Sequence, residues 1–304
     1  MDQKETLFRS WMFVPGHRQR MIDKALALQN VDAIMLDIED GVASTEKDAA
    51  RRQIAATLDQ VQERAQGPAP LRTPARYVRI NAIGHERMYA DLSAVVRPGL
   101  EGLVLPKVET PEQVKVVEQI LATREPEVGI PGGTVRLLVA IESPRGLFHA
   151  CLIAASSPRV IGLIFGAEDY GKELGLPLRR EEEARDLIYA RSVIANAAAA
   201  AHVQSVDGVW TDLQDMEGLC KFALQSRRLG FTGMSSIHPS QSDPINAVFA
   251  PTPEEVDYCN QVVKAFEEAQ TRGEGSIAFG GQLLDLPIVE RARRTLALAI
   301  SRKV

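Results

Sequence analysis

RLLVAIESPRGLFHACLIAA (residues 136–155) begins as an apolar run and reaches a carboxylate at Glu142. Pro144 and Gly146 then break the strand, and an amphipathic segment follows. VIGLIFGAEDYG (160–171) repeats the pattern and ends in Glu168 and Asp169. A buried carboxylate without a partner is costly. An apolar strand that twice finishes in an acid therefore needs a reason. Either the acids cap the helices that follow, or together they hold a cation.

The same unit recurs on both sides. WMFV (11–14), AIMLDI (33–38), RYVRIN (76–81), GLVLP (102–106), HVQSVDGVW (202–210) and TGMSSIHP (232–239) are further apolar runs, each followed by a segment of helical periodicity. Ser44-Thr45-Glu46-Lys47 and Thr110-Pro111-Glu112 read as helix starts. The tract after VIGLIFG reads as helical as far as Ala201, and PEEVDYCNQVVKAFEEAQ reads as the eighth helix. Continuous apolar runs suit parallel strands buried on both faces. Eight strand–helix units in about 260 residues predict a (β/α)8 TIM barrel. An open doubly wound sheet is the alternative, but no GxGxxG follows the first strand. The catalytic barrel is expected over 7–272. The remainder, 273–304, contains GEGSIAFGGQLLDLPIVERARRTLALAI and reads as a C-terminal extension or lid ending in a helix. QGPAPLRTPA (66–75) and EPEVGIPGG (125–133) lie between helices and strands, on the face that carries stability rather than chemistry.

Composition narrows the function classes. The chain has 304 residues, 45% hydrophobic and 25% charged, with a formal net charge of −5. Its Lys and Arg are scattered, which argues against nucleic acid as a partner. Arg51-Arg52, Arg179-Arg180 and Arg227-Arg228 read as solvated helix faces. The cysteines Cys151, Cys220 and Cys259 form no CxxC, as expected of reduced thiols in a cytoplasmic protein without a zinc site. No secretory h-region is visible, and the apolar stretches fall far short of the roughly 20 residues that cross a bilayer. Met21, Met35, Met88 and Met216 read as core residues.

A barrel of this kind places its chemistry at the C-terminal ends of the strands. Those ends carry Asp37, Glu39 and Asp40 after strand two, Arg79 and Asn81 on strand three, and Lys107 after strand four. Glu142 ends strand five, Glu168 and Asp169 end strand six, and His238 ends strand eight. Glu142 and Asp169 come from adjacent strands. Two carboxylates with water and a bidentate substrate make an oxygen site suited to Mg²⁺ or Mn²⁺. Helix-start acids remain the alternative for both. Arg79 needs either a substrate anion or the carboxylate of Asp37 or Glu39. Lys107 is either an ion-pair partner for these acids or a Schiff-base lysine. His17 and Arg18 open the first helix, with Arg20 and Lys24 nearby, and offer a phosphate site.

Seven motifs together carry a family resemblance: RSWMFVPGHRQRMIDKAL, AIMLDIEDGVASTEKDAAR, VRIN, LPKVE, AIESPRG, IFGAEDYGKELG and SSIHPSQ. In combination they resemble the citrate lyase β-subunit-like branch of the HpcH/HpaI aldolase family. The resemblance implies a (β/α)8 barrel, Mg²⁺ dependence and a homotrimer or hexamer. It implies cleavage or formation of a carbon–carbon bond in a 2-hydroxy-acyl-CoA thioester such as citryl-CoA, malyl-CoA or citramalyl-CoA, giving a 2-oxo acid and an acyl-CoA. Glu142 and Asp169 become metal ligands. Arg79 becomes substrate-binding, with Asp37 and Glu39 beside it in catalysis; Lys107, Arg18 and Glu142 are the further substrate-binding candidates among the strand-end and helix-start residues. The tail pattern GQLLDLP makes Asp285 the acid/base, carried into a neighbouring subunit. Two alternatives accompany this reading. One is an Mg²⁺-dependent acyl-CoA thioesterase or malate-synthase-like enzyme. The other is a carrier-protein-binding subunit of a citrate lyase complex, with an acyl-carrier thioester as substrate.

Overall fold

In the computed structural model, which describes residues 7–66, 73–177 and 182–300, each of the eight apolar runs is a strand. They are β1 (Ser10–Pro15), β2 (Ala33–Asp37), β3 (Ala75–Arg79), β4 (Gly102–Leu105), β5 (Arg136–Ile141), β6 (Val160–Phe165), β7 (Gln204–Asp207) and β8 (Gly233–Ser236). They pair in chain order, and β1 pairs in parallel with both β2 and β8, closing the barrel. The intervening helices are α1 (Gln19–Leu26), α2 (Lys47–Ala65), α3 (Met88–Val95), α4 (Pro111–Glu127), α5 (Pro144–Ala154), α6 (Ala167–Leu174), α7 (Ile188–Ala200), α8 (Met216–Leu229) and α9 (Ser242–Phe249). Thr110 and Gln113 form the capping box of α4, as its sequence predicts. The barrel interior is filled by Trp11, Met35, Tyr77, Val104, Leu138, Ile164 and Val206, with Ala33 and Ala140 making room for the rings. Trp11 meets Tyr77 edge-on, ring centroids 4.8 Å apart.

Several local expectations need correction. The tract from Ala167 to Ala201 is not one helix: α6 stops at Gly175, which takes a left-handed φ of 68°, and Pro177 follows. The helix after β8 is the eight-residue α9, not PEEVDYCNQVVKAFEEAQ. Met21 is 52% exposed because α1 turns Ile22 and Ala25 inward, whereas Met35 and Met88 are core residues. Arg51 does not sit on a solvated face; its Nε donates to the buried Asp91 at 2.8 Å. Arg179-Arg180 and most of the 66–75 loop lie outside the described residues. The 125–133 loop is a stability element. Buried Glu125 pairs with Arg159 at 2.7 Å and accepts from the backbone of Gly133 and Val135.

The chain divides into two compact units, and the barrel unit is Leu7–Asn246. The second unit contains α10 (Pro253–Thr271), β9 (Ile277–Phe279), β10 (Gln282–Leu284) and α11 (Leu286–Ile300). β9 and β10 form an antiparallel hairpin whose two-residue turn, Gly280-Gly281, has φ of 58° and 80°, a demand glycine meets without strain. Val262 and Phe266 of α10 pack with Leu284 and Val289. The expected boundary at 272/273 therefore falls inside this unit, because α10 shares its core. No helix among the described residues is long and apolar enough to cross a membrane.

Within the barrel unit, Arg191 and Asp207 form a fully buried ion pair at 2.8 Å, with Ser226 Oγ accepting from the same guanidinium at 2.9 Å. Removing one partner of a buried pair leaves an uncompensated charge. Arg191→Met is expected to cost about 3–5 kcal/mol of stability. Urea unfolding should show a lower midpoint with the slope unchanged.

Candidate active site

The C-terminal strand ends supply a chain of charges. Asp37 and Arg79 are register partners at the ends of β2 and β3. The guanidinium grips Asp37 with two 2.7 Å hydrogen bonds, from Nε and Nη2, while Nη1 lies 3.4 Å from Glu39. Its flat face sits over the Phe13 ring, 4.8 Å from the centroid. The backbone N–H groups of Glu39 and Gly41 also donate to Asp37, each at 2.9 Å, so the turn after β2 folds around that carboxylate. Of the two partners considered for Arg79, the ion pair with Asp37 is realised. The guanidinium still lines a cavity with Glu142 and Asp169.

Lys107 follows β4 with φ of 53°, a left-handed conformation that a lysine rarely adopts. Its ammonium donates to Glu39 at 2.6 Å and to Asp40 at 2.8 Å, and lies 4.0 Å from Asp169. Burial works against the charge, but the hydrogen bonds to Asp40 and Glu39 outweigh it and hold the Lys107 pKa above the ordinary lysine range. A Schiff-base lysine needs the neutral amine. This lysine is held as the cation.

Glu142 follows β5 and is 7% exposed. It does not cap α5: Ser143 does, accepting from the Gly146 N–H at 3.0 Å. Glu142 Oε2 is buried without a hydrogen-bond partner. Burial, with the neighbouring charges of Glu39 and Asp169, pushes its pKa up to about 8 even though Arg79 and Lys107 pull the other way. Gly166, at the end of β6, is there because a Cβ would fall 2.3 Å from Glu142 Cγ. Asp169 stands in the first turn of α6, and its side chain is 34% exposed. Glu142 and Asp169 line two cavities together. One, of about 460 Å³, is shared with Lys107, Glu109 and Lys172; the other, of about 130 Å³, is shared with Phe13, Arg79, Ile164 and Ser235.

A buried carboxylate oxygen with no donor, facing a second acid across the ends of adjacent strands, suits a hard divalent cation. Among the described residues no three His, Cys, Asp or Glu side chains gather as a ready-made cage. Mg²⁺ is usually held by one or two carboxylates, with water and substrate filling the other positions.

The remaining candidates lie elsewhere. Asn81 is buried away from the cavities, donating to Asp91 at 2.6 Å. His238 caps the following 3-10 turn through Nδ1, at 3.2 Å from the Ser240 N–H. Arg18 is exposed at the N-cap of α1 and lines neither cavity. Asp285 lies in the second unit, just before α11, where its Oδ1 accepts from the Ile288 N–H at 3.4 Å. Sequence reading missed Phe13, Glu109, Lys172 and Ser235. Only Phe13 left a signal, by alternating inward with Trp11 along β1.

A family described as HpcH/HpaI aldolase/citrate lyase matches residues 9–239, three-quarters of the chain. The chain belongs to the HpcH/HpaI aldolase/citrate lyase family. Within this family it is 38% identical to the citrate lyase subunit beta of Leuconostoc mesenteroides subsp. cremoris, covering 97% of this chain and 94% of that protein. It is 34% identical to a (3S)-malyl-CoA thioesterase of Cereibacter sphaeroides (strain KD131), covering 96% and 94%. The CitE protein of Mycobacterium tuberculosis, crystallised with magnesium, acetoacetate and coenzyme A, matches with a TM-score of 0.77 and 30% identity, covering 97% of this chain and 98% of that one.

Proposed function

We propose that the protein is an Mg²⁺-dependent carbon–carbon lyase acting on the CoA thioester of a 2-hydroxy acid whose hydroxyl lies β to the thioester carbonyl, such as citryl-CoA, malyl-CoA or citramalyl-CoA. The observation that carries the reading is the unpartnered, buried oxygen of Glu142 beside Asp169, in a mouth otherwise lined by Arg79 and Lys107. Glu142 and Asp169 would hold the cation. When bound, the cation supplies Lewis-acid polarisation of the hydroxy-acid oxygens. In cleavage, Glu39, whose pKa burial raises, would take the hydroxyl proton as the bond between the carbinol carbon and the carbon next to the thioester breaks. Its electron pair passes to the thioester enolate, leaving a 2-oxo acid. Arg79, with only part of its donor set taken by Asp37, binds the carboxylate or enolate oxygen. Glu39 and Asp40 keep Lys107 charged beside that anion. Asp285, contributed by a second copy of the chain in a homotrimer or hexamer, returns a proton to the enolate carbon, and in the synthetic direction it removes one.

The likeness to a malyl-CoA thioesterase favours a second reading, in which water attacks the thioester. The purified protein should be assayed with Mg²⁺ against citryl-, malyl- and citramalyl-CoA. The lyase releases a 2-oxo acid and an acyl-CoA, whereas the thioesterase releases free CoA thiol and the intact hydroxy acid. Turnover should stop with EDTA and survive borohydride. Borohydride inactivation with mass added at Lys107 would instead establish Schiff-base chemistry.

A further inference from the structure

Lys47 lines neither of the two cavities, yet all three donors of its ammonium are engaged. They reach Ile38 O at 2.9 Å, Glu39 O at 3.0 Å and Asn81 Oδ1 at 2.6 Å. Asn81 donates onward to Asp91 at 2.6 Å, and the other oxygen of Asp91 accepts from Arg51 at 2.8 Å. Lys47 and Arg51 are four residues apart on α2 and so share one face. This chain of polar groups ties the first turns of α2 to the backbone immediately beyond β2. On its far side, that backbone presents the Glu39 carboxylate to Lys107 at 2.6 Å and to Arg79 at 3.4 Å.

We propose that Lys47 is a positioning residue: its ammonium holds the Ile38 and Glu39 carbonyls so that the Glu39 carboxylate meets Lys107 and Arg79 at the barrel mouth. The inference rests on the lyase reading above. Without the ammonium, two carbonyl acceptors lose a donor and the turn is free to shift. A displacement of about 1 Å at a reacting site costs on the order of 100-fold in rate.

The test is steady-state kinetics of Lys47→Met, which retains the apolar stem, on whichever of the three thioesters the wild type turns over. The expected result is kcat lowered roughly 10- to 100-fold with KM within about 3-fold. The Mg²⁺-induced rise in Tm should be unchanged, because Glu142 and Asp169 do not touch the Lys47 chain. Lys47→Ala should regain part of its lost rate when methylammonium is added. Wild-type kcat in Lys47→Met, loss of the Mg²⁺-induced rise in Tm along with the rate, or no gain from the amine would each overturn the inference. A wild type inactive on all three thioesters removes the lyase reading, and this inference with it.

Discussion

Glu142→Gln is expected to lower Mg²⁺-dependent turnover by about three orders of magnitude, since Lewis-acid stabilisation is worth several kcal/mol and each 1.36 kcal/mol is tenfold. It should also abolish the rise in Tm that Mg²⁺ gives the wild type. The pH dependence makes this prediction specific. With its pKa pushed up to about 8 by burial, Glu142 keeps its proton in the folded, metal-free protein over a range where an unfolded chain has lost it. The folded state then binds more protons than the unfolded one between about pH 4.5 and 8. Metal-free stability is greatest below that window and falls as pH rises through it. Mg²⁺ must displace the same proton, so its stabilisation grows across the window and levels off above pH 8. Thermal melts with and without Mg²⁺ at pH 6 and pH 8.5 should show the larger shift at the higher pH. In Glu142→Gln both the shift and its pH dependence should vanish. A wild-type shift of equal size at both pH values would mean that the cation is held by groups other than Glu142.

The fold was legible chiefly from β1, β2, β4, β5 and β6, whose apolar runs close in Gly, Pro or an acid, a pattern that local sequence states without help from tertiary structure; β7 (QSVD) and β8 (GMSS) are mostly polar and were placed by the recurring strand–helix unit. What was missed depends on events that local sequence does not announce. Alanine-rich periodicity from 188 to 200 resembles that of 167–174, so the break at Gly175 and Pro177 reads as a pause rather than an end. SDPINAVF is too short, with a Pro near its start, to stand out as the eighth barrel helix. The Gly280-Gly281 turn was visible as glycine, but the strands on each side are three residues long. In the site, the Asp37–Arg79 pairing was foreseeable because consecutive parallel strands bring their ends together. The Lys47–Asn81–Asp91–Arg51 chain was not, since it joins residues up to 40 positions apart with no periodic relation. Burial also decides what composition cannot: Glu142 and Glu168 look alike in sequence, and only Glu142 has an oxygen that is both buried and unpartnered.

Asp285→Asn is expected to reduce turnover by about 10²- to 10⁴-fold, the range for loss of a general acid/base, while the Mg²⁺-induced rise in Tm persists. The amide has nearly the same shape as the carboxylate and can still accept from the Ile288 N–H, so the start of α11 should remain formed. The sharper consequence concerns where the proton comes from. If Asp285 serves the barrel of another copy, a site needs Glu142 from one chain and Asp285 from a second. Glu142→Gln and Asp285→Asn proteins, each inactive alone, should then recover activity when unfolded together and refolded as mixed oligomers. In a mixed oligomer, an Asp285→Asn barrel with intact Glu142 can receive Asp285 from a Glu142→Gln neighbour. In a homotrimer refolded from equal amounts with cyclic donation, a barrel is complete only when it is the Asp285→Asn chain and its donor is the Glu142→Gln chain. That holds for a quarter of all barrels, so about a quarter of wild-type activity is expected. No recovery, with mixed oligomers verified by native mass spectrometry, would place the proton transfer within one chain or assign it to a different residue.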